Sequence, residues 1–354
     1  MRRRIARTGS ISIADYMAVA LGHPQYGYYM HRDPFGAPGD FVTAPEISQI
    51  FGELIGLWCV VVWEQMAQPA PVLLTELGPG RGTLLADALR AATSARPEFA
   101  AAVRLHLVET SPFLRERQRI CLAATHPGLE ARWHDRLENV PKTHPLLLIA
   151  NEFFDALPIR QYVRTNDRWQ ERRIGLRPDG SGFVFVLEAV SNPTLPEPTE
   201  YGSVVERCPA AARLAYEIGA RVTRHGGAAL IIDYGYSHGA SAETLQSVRH
   251  HAFHDVLDHP GDADLTAHVD FGALLAAARG AGARTYGPIP QGAFLARLGI
   301  EPRTEALLER ATSDQATAIA TAFRRLVHPA EMGLMFKAVA VASPDLPPPP
   351  GFDA

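Results

Sequence analysis

Acidic residues that close short apolar runs are where this chain could do chemistry. In "LLTELGPGRGTLL" (73–85), Glu76 ends one such run, and Gly78, Gly80 and Gly82 follow at alternate positions before Thr83. A dinucleotide-binding fingerprint needs G-x-G-x-x-G, whose third glycine lets helix and strand pack closely. Here the third glycine arrives one position early, and the lysine of a G-x-x-x-x-G-K-[ST] phosphate loop is missing. A pyrophosphate fits poorly, and with it an NAD-dependent oxidoreductase. The spacing still opens the backbone to close approach by a ligand, because glycine has no Cβ and tolerates positive φ. Glu109 ends a second run, "VRLHLVE", where a carboxylate can accept both hydroxyls of a ribose. Asn151, Glu152 and Asp155 follow a third, "LLLIA", and Asp233 and Tyr234 end a fourth, "LIIDY".

A strand, then E-x-G-x-G-x-G, then a helix is similar to the first motif of class I S-adenosylmethionine (SAM) methyltransferases. SAM has no phosphates. The loop must let a methionine and a ribose pass close to backbone, and the helix N-terminus favours the carboxylate. The expected cofactor contacts are Glu76, Gly78, Gly80, Gly82, Thr83, Glu109, Ser111 and Asn151, with Asp135 of "RWHDRL" on the adenine side. Methyl transfer from a sulfonium is an in-line displacement, so the enzyme mainly positions the nucleophile and tunes local charge. A carboxylate at Glu152 suits a cationic nucleophile such as a planar guanidinium, which pairs bidentately with it. Asp155 and Tyr234 are expected beside it as further catalytic groups. Two plainer readings compete: Glu152 and Asp155 also read as helix N-terminal caps, and Asp233 and Tyr234 fit a structural role as well as a catalytic one.

These residues need a scaffold that brings run ends together. "VLLTEL", "VRLHLVE", "LLLIANE" and "AALIIDY" read as buried strands of a parallel sheet alternating with helices. Such sheets bind ligands at the C-terminal ends of their strands. The expected fold class is therefore α/β, a Rossmann-like, seven-stranded, mostly parallel sheet with insertions. The core spans 71–160 and 201–245, with a final strand in 331–343. An N-terminal helical extension covers 1–70, an inserted β-hairpin 161–200, and a substrate-side helical insertion 246–330. "SISIADYMAVALG" reads as one helix stopped at Gly22; "TAPE" reads as a capping box, Thr43 with Glu46, opening another that carries Ile47 to Trp58. "MRRRIARTGS" reads as a solvated tail rather than a targeting segment, and 344–354 as a disordered one.

Bulk properties narrow the classes further. A net charge of −4 over 354 residues offers no electrostatic reason to expect nucleic acid or an acidic membrane as partner. The longest apolar runs are far too short to span a bilayer. Three cysteines without CxxC pairing argue against a disulfide framework or structural zinc and for a reducing compartment. Residues 249–271 hold five histidines and five aspartates, but their spacing matches no metal motif. No metal is expected there; the segment reads as a substrate-side wall.

"DFVTAPEISQIFGELIG", "ELGPGRGTLL", "VETSPFLRERQ", "ANEFFDALP", "DLTAHVDF", "QGAFLARLGI" and "MGLMFKAV" together resemble the MidA family, from about Ile11 to Val341. That family includes the mitochondrial arginine methyltransferase of respiratory complex I assembly. The resemblance implies a SAM-dependent methyltransferase and, as in the mitochondrial members, symmetric dimethylation of an arginine on the 49-kDa-type subunit. It implies SAM contacts at Gly78, Gly80, Gly82 and Glu109 and target entry at Glu152. Phe41, Thr43, Glu46, His268 and Asp270 are expected to line the substrate side. The expected compartment is a bacterial cytoplasm, with the mitochondrial matrix as the family alternative. Methylation of a small molecule, or a SAM-binding assembly chaperone with little catalysis, remain alternatives.

Overall fold

The computed structural model describes residues 1–352 apart from 35, 37–38, 167, 191–194, 196–200, 238–242 and 250. Parts of the expected 1–70, 161–200, 201–245 and 246–330 segments, and the last two residues of the tail, therefore lie outside the described residues. Seven strands make the central sheet: β1 (Val72–Leu77), β2 (Val103–Val108), β3 (Ala131–His134), β4 (Leu146–Asn151), β5 (Gly227–Tyr236), β6 (Arg284–Pro290) and β7 (Phe336–Ala342). Their spatial order is β6-β7-β5-β4-β1-β2-β3, with the short strand Val269–Asp270 added beside the end of β5. β1 to β5 are mutually parallel, and β7 runs antiparallel to both neighbours.

Alternation across the pleat explains why the strands are apolar throughout. Leu147 and Ile149 face one side with Leu230 and Ile232, under the helices Gln49–Gln65 and Thr83–Ala95. Leu146, Leu148 and Ala150 face the other with Ala229 and Ile231, under Pro209–His225 and Phe271–Gly280. With both faces covered, polar groups survive mainly at the C-terminal strand ends, where the loops emerge.

A second sheet stands beside this core. The strands Arg160–Thr165, Arg168–Leu176, Phe183–Ala189 and Val204–Arg207 join the two-residue strand Ile11–Ser12 in a five-stranded antiparallel sheet. The hairpin of 161–200 is thus one part of a larger layer that includes the chain's own start. The helix Ile13–Gly22 packs against it through Ile13, Tyr16, Met17 and Leu21, and Ser12 caps that helix by accepting from Asp15 N at 3.0 Å.

Four expectations are corrected. The 246–330 segment is not simply a helical insertion: it supplies β6, the sheet edge paired with β7, and a small sheet of Gln246–Arg249, Ala252–His254 and Asp264–Thr266, because β7 leaves an open edge that β6 covers. Arg2–Thr8 forms a helix rather than a solvated tail, because Ile5 is buried in the N-terminal cluster. Residues 344–352 are packed: Leu346 is buried, Trp58 Nε1 donates to the Pro350 carbonyl at 3.2 Å, and the Phe352 and Phe294 rings lie 5.3 Å apart. The Thr43–Glu46 capping box does not form. Ala44–Ile47 is a separate short helix without a side-chain cap; the chain turns extended at Ser48, which caps Gln49–Gln65 by accepting from Ile50 N. Glu46 is drawn away by a cation, accepting from Arg81 Nη1 at 3.0 Å and from Thr83 Oγ1 at 2.5 Å. A charge-assisted bond outcompetes a neutral cap.

Candidate active site

The loops after β1, β2, β4 and β5 surround one cavity of about 820 Å³. At one part of its wall the chain leaves β1 through Gly78, Gly80 and Gly82, with φ of 61°, 54° and 87°. A Cβ on Gly78 would stand 2.8 Å from the Phe153 ring, so that turn closes only without a side chain. Gly82 opens the helix Thr83–Ala95. Arg81, from the same loop, donates to both Asp33 oxygens at 2.9–3.0 Å and, together with its bond to Glu46, ties the N-terminal segment to the glycine turn.

Two acids support this loop. Glu76 is buried at the end of β1, its Oε2 has no hydrogen-bond partner among the described residues, and burial pushes its pKa up to about 8. Asn151 Oδ1 is also buried and unpartnered. Glu109 Oε1 accepts from Ser111 N at 2.8 Å and Oε2 from Gln118 Nε2 at 3.3 Å; burial raises its pKa too. Gln118 Nε2 also donates to the Gly80 carbonyl at 2.8 Å, and its Oε1 accepts from Trp133 Nε1 at 2.8 Å. It therefore locks the glycine turn to the ribose-type acid. Sequence reasoning passed over Gln118 and Arg81. The signal for Gln118 was a polar residue in the buried stripe of Leu114 and Leu122 on the helix Pro112–Thr125.

The loop after β4 supplies the second half. Glu152 sits at φ +50°, a conformation that costs a non-glycine residue about 1–3 kcal/mol and that clusters at functional sites. Its Oε1 accepts from Ala44 N at 2.9 Å and from Asn151 Nδ2 at 3.1 Å. Burial, with Asp155 adding repulsion, pushes its pKa up to about 7. Burial likewise pushes Asp155 up to about 6 against the opposing Tyr234 hydroxyl. No helix starts here, so the reading of Glu152 and Asp155 as helix caps is set aside. The turn is instead held by Asp233, whose Oδ2 accepts from the N–H of Phe153, Phe154 and Asp155 at 2.8–3.3 Å. Asp233 is structural, while Tyr234 lines the cavity. Asp264 lies in the same wall, accepts from Tyr29 Oη at 2.9 Å, and is pushed by burial up to about 7.

The structure brings Glu76, Gly78, Gly80, Thr83, Glu109, Asn151, Glu152, Asp155 and Tyr234 to this one cavity, along with Phe41, Thr43, Glu46 and His268. Gly82, Ser111, Asp135 and Asp270 stand outside its lining. Gly82 opens the helix behind the turn. Ser111 is the N-cap of Pro112–Thr125, accepting from Leu114 N at 3.2 Å. Asp135 is exposed and pairs with Arg115 at 2.6 Å. Asp270 caps Phe271–Gly280, accepting from Ala273 N at 3.0 Å, and borders a separate small pocket. Serine and aspartate at a helix start are spent on backbone N–H groups. Among the described residues no group of three or more His, Cys, Asp or Glu side chains is placed to hold a metal ion.

The raised carboxyls have a stability consequence. Glu76 keeps its proton in the folded chain up to about pH 8 but loses it near its ordinary value of 4.5 when unfolded. The folded state then binds more protons, so stability falls as pH rises between those values. Glu76→Gln should unfold at a higher temperature than the parent protein at pH near 8, with the gap closing toward pH near 4.5. Thermal unfolding across that range checks this; parallel curves would show that Glu76 carries no burial penalty.

These residues fit SAM as a group: an orphaned buried carboxyl for an ammonium, an acid held for ribose hydroxyls, and a side-chain-free turn for close passage. The comparisons agree. Residues 54–289 match the model of a family described as "Putative S-adenosyl-L-methionine-dependent methyltransferase". The chain is 41% identical, over 96% of its length and 83% of the relative's, to "Protein arginine methyltransferase NDUFAF7 homolog, mitochondrial" of Drosophila melanogaster. It is 37% identical to "Protein arginine methyltransferase NDUFAF7, mitochondrial" of Homo sapiens, over 96% of this chain and 81% of that one. A crystal structure from Burkholderia thailandensis bound to S-adenosyl-homocysteine superposes with a TM-score of 0.84 at 29% identity, covering 100% of this chain and 91% of that one.

Proposed function

Because the chain belongs to this family of S-adenosyl-L-methionine-dependent methyltransferases, we propose that the group it methylates is a nitrogen of a protein arginine. One observation carries the reading. Glu152, Asp155 and Asp264 gather in the cavity that holds the glycine turn, and each is held well above the usual carboxylate range. A guanidinium entering there would favour the charged form of carboxyls that burial alone holds back from ionising, and would pair with groups already stripped of water.

Bound SAM supplies an electrophilic methyl group. The protein's own residues do the rest. Glu76 Oε2 and Asn151 Oδ1, both unpartnered among the described residues, would hold the methionine end, Glu109, already steadied by Ser111 N and Gln118, would accept from the ribose, and the glycine turn gives backbone clearance. Ala44 N–H and Asn151 Nδ2 hold Glu152 Oε1, which leaves Oε2 to accept from one substrate nitrogen. Oε2 then takes the proton that this nitrogen sheds, and a group poised near pH 7 suits that exchange. Tyr234 and Asp155 shape the neighbouring charge.

The resemblance and the names of the relatives support a protein substrate, and we propose the 49-kDa-type subunit of respiratory complex I, symmetrically dimethylated. Three free cysteines support a reducing compartment; we propose a bacterial cytoplasm, with the mitochondrial matrix, the location in the relatives' names, as the alternative. Incubation with methyl-labelled SAM and the cognate subunit should place label on an arginine. Tight SAM binding without label on any arginine would overturn the reading in favour of an assembly chaperone. The rate should also fall tenfold per unit as pH drops below about 7, where Glu152 Oε2 becomes protonated. A flat profile between about pH 5 and 7 would remove Glu152 as the proton acceptor.

A further inference from the structure

The cavity opening carries large apolar side chains that neither the fold nor the cofactor requires. Phe253 lies on the strand Ala252–His254 and is 83% exposed, yet it lines the cavity. Met335, 58% exposed, also lines it and stands beside Leu334, 51% exposed, just before β7. Single exposed apolar residues are ordinary on protein surfaces. Phe253 and Met335 come from chain segments about eighty residues apart and both line one acidic cavity while largely exposed, and exposed apolar groups of this kind mark binding surfaces.

The element that carries Phe253 is braced rather than loose. Its strand pairs with Gln246–Arg249, which pairs in turn with Asp264–Thr266, so one small sheet joins the rim to Asp264 inside. Glu206 accepts from the backbone N–H of Thr244 at 2.9 Å and of Leu245 at 3.2 Å, and from the Thr244 hydroxyl. Thr244 Oγ1 accepts from His268 N at 2.9 Å. His251, in the turn before Phe253, lines the cavity and is held at φ +60°, another strained non-glycine residue at the site.

Resting on the arginine reading above, we propose that Phe253 and Met335 are two sides of a mouth that selects a polypeptide segment whose target arginine is flanked by large apolar side chains. The arginine head group reaches the carboxylates within, its aliphatic stem passes the apolar rim, and its neighbours cover Phe253 and Met335. A free small guanidino compound would leave the rim bare. Charge complementarity inside and apolar complementarity outside belong to one occupant, a protein segment.

The test uses two peptides of equal length with a central arginine, one flanked by leucines and one by glycines. Binding is read by fluorescence anisotropy with saturating S-adenosyl-homocysteine, and transfer with labelled SAM. The parent protein should bind and methylate the leucine-flanked peptide better. Phe253→Ala and Met335→Ala should each raise KM for it about tenfold, leaving kcat, S-adenosyl-homocysteine affinity and the glycine-flanked peptide unchanged. Both side chains are exposed, so folding should not suffer. No preference in the parent protein, no measurable binding, or variants that keep the preference would overturn the mouth. Transfer to arginine that ignores both variants would keep the arginine reading and discard the mouth. Phe253-dependent binding without any transfer would do the reverse.

Discussion

Replacing Glu152 with Gln should lower kcat about 10²–10⁴-fold, the range of a lost general base, while S-adenosyl-homocysteine binding stays within a few-fold. Gln keeps an oxygen for the Ala44 N–H and Asn151 Nδ2 bonds, so the strained turn at φ +50° should survive. What disappears is the charge that pairs a guanidinium and the oxygen that takes its proton. Stability should rise or hold at neutral pH, because a carboxyl pushed up to about 7 by burial no longer has to ionise there. That separates the expected loss from simple unfolding. Calorimetric titration, thermal unfolding and labelled transfer read the three quantities. Full activity in the variant would take Glu152 out of the chemistry.

Gly80→Val should act at the other end of the site, weakening S-adenosyl-homocysteine binding about tenfold or more. Gly80 sits at φ +54°, and a β-branched residue there costs at least about 1–3 kcal/mol. The backbone can relieve that strain only by leaving its turn. The Gly80 carbonyl then drops the bond from Gln118 Nε2, which also serves Glu109. The ribose side therefore loosens together with the loop. Gly78 links the two halves: its missing Cβ makes room for Phe153, the neighbour of Glu152. Normal ligand binding by Gly80→Val would show that the loop holds something else.

Local signals carried far along this chain because each rests on local physics. Continuous apolar runs such as "LLLIA" become doubly covered parallel strands, since no half-solvated strand could hide both faces. Glycines at alternate positions after Glu76 become a turn of successive positive φ values, which other residues resist. The SAM-type loop, the acid after β2 and the acids after β4 were legible for that reason. Where a residue had competing partners, the local pattern misled. Thr43 and Glu46 spell a capping box, but Arg81 and Thr83 lie within reach of Glu46 only after folding.

The sequence by itself determined the apolar inner strands of the sheet, the glycine turn and the identity of the acids at the strand ends, because periodicity and glycine content act within a few residues; the edge strand Arg284–Pro290, half-exposed and without a continuous apolar run, did not announce itself. Tertiary structure alone decided how those acids are spent. It left Glu76 Oε2 buried without a partner among the described residues, turned Asp233 inward to hold three N–H groups, and left Glu152, Asp155 and Asp264 to share one cavity. It also placed Gln118 between the loop and Glu109, and set Phe253 and Met335 in the lining of the same cavity. Burial and charge pairing depend on which distant segments meet, and that information is not local.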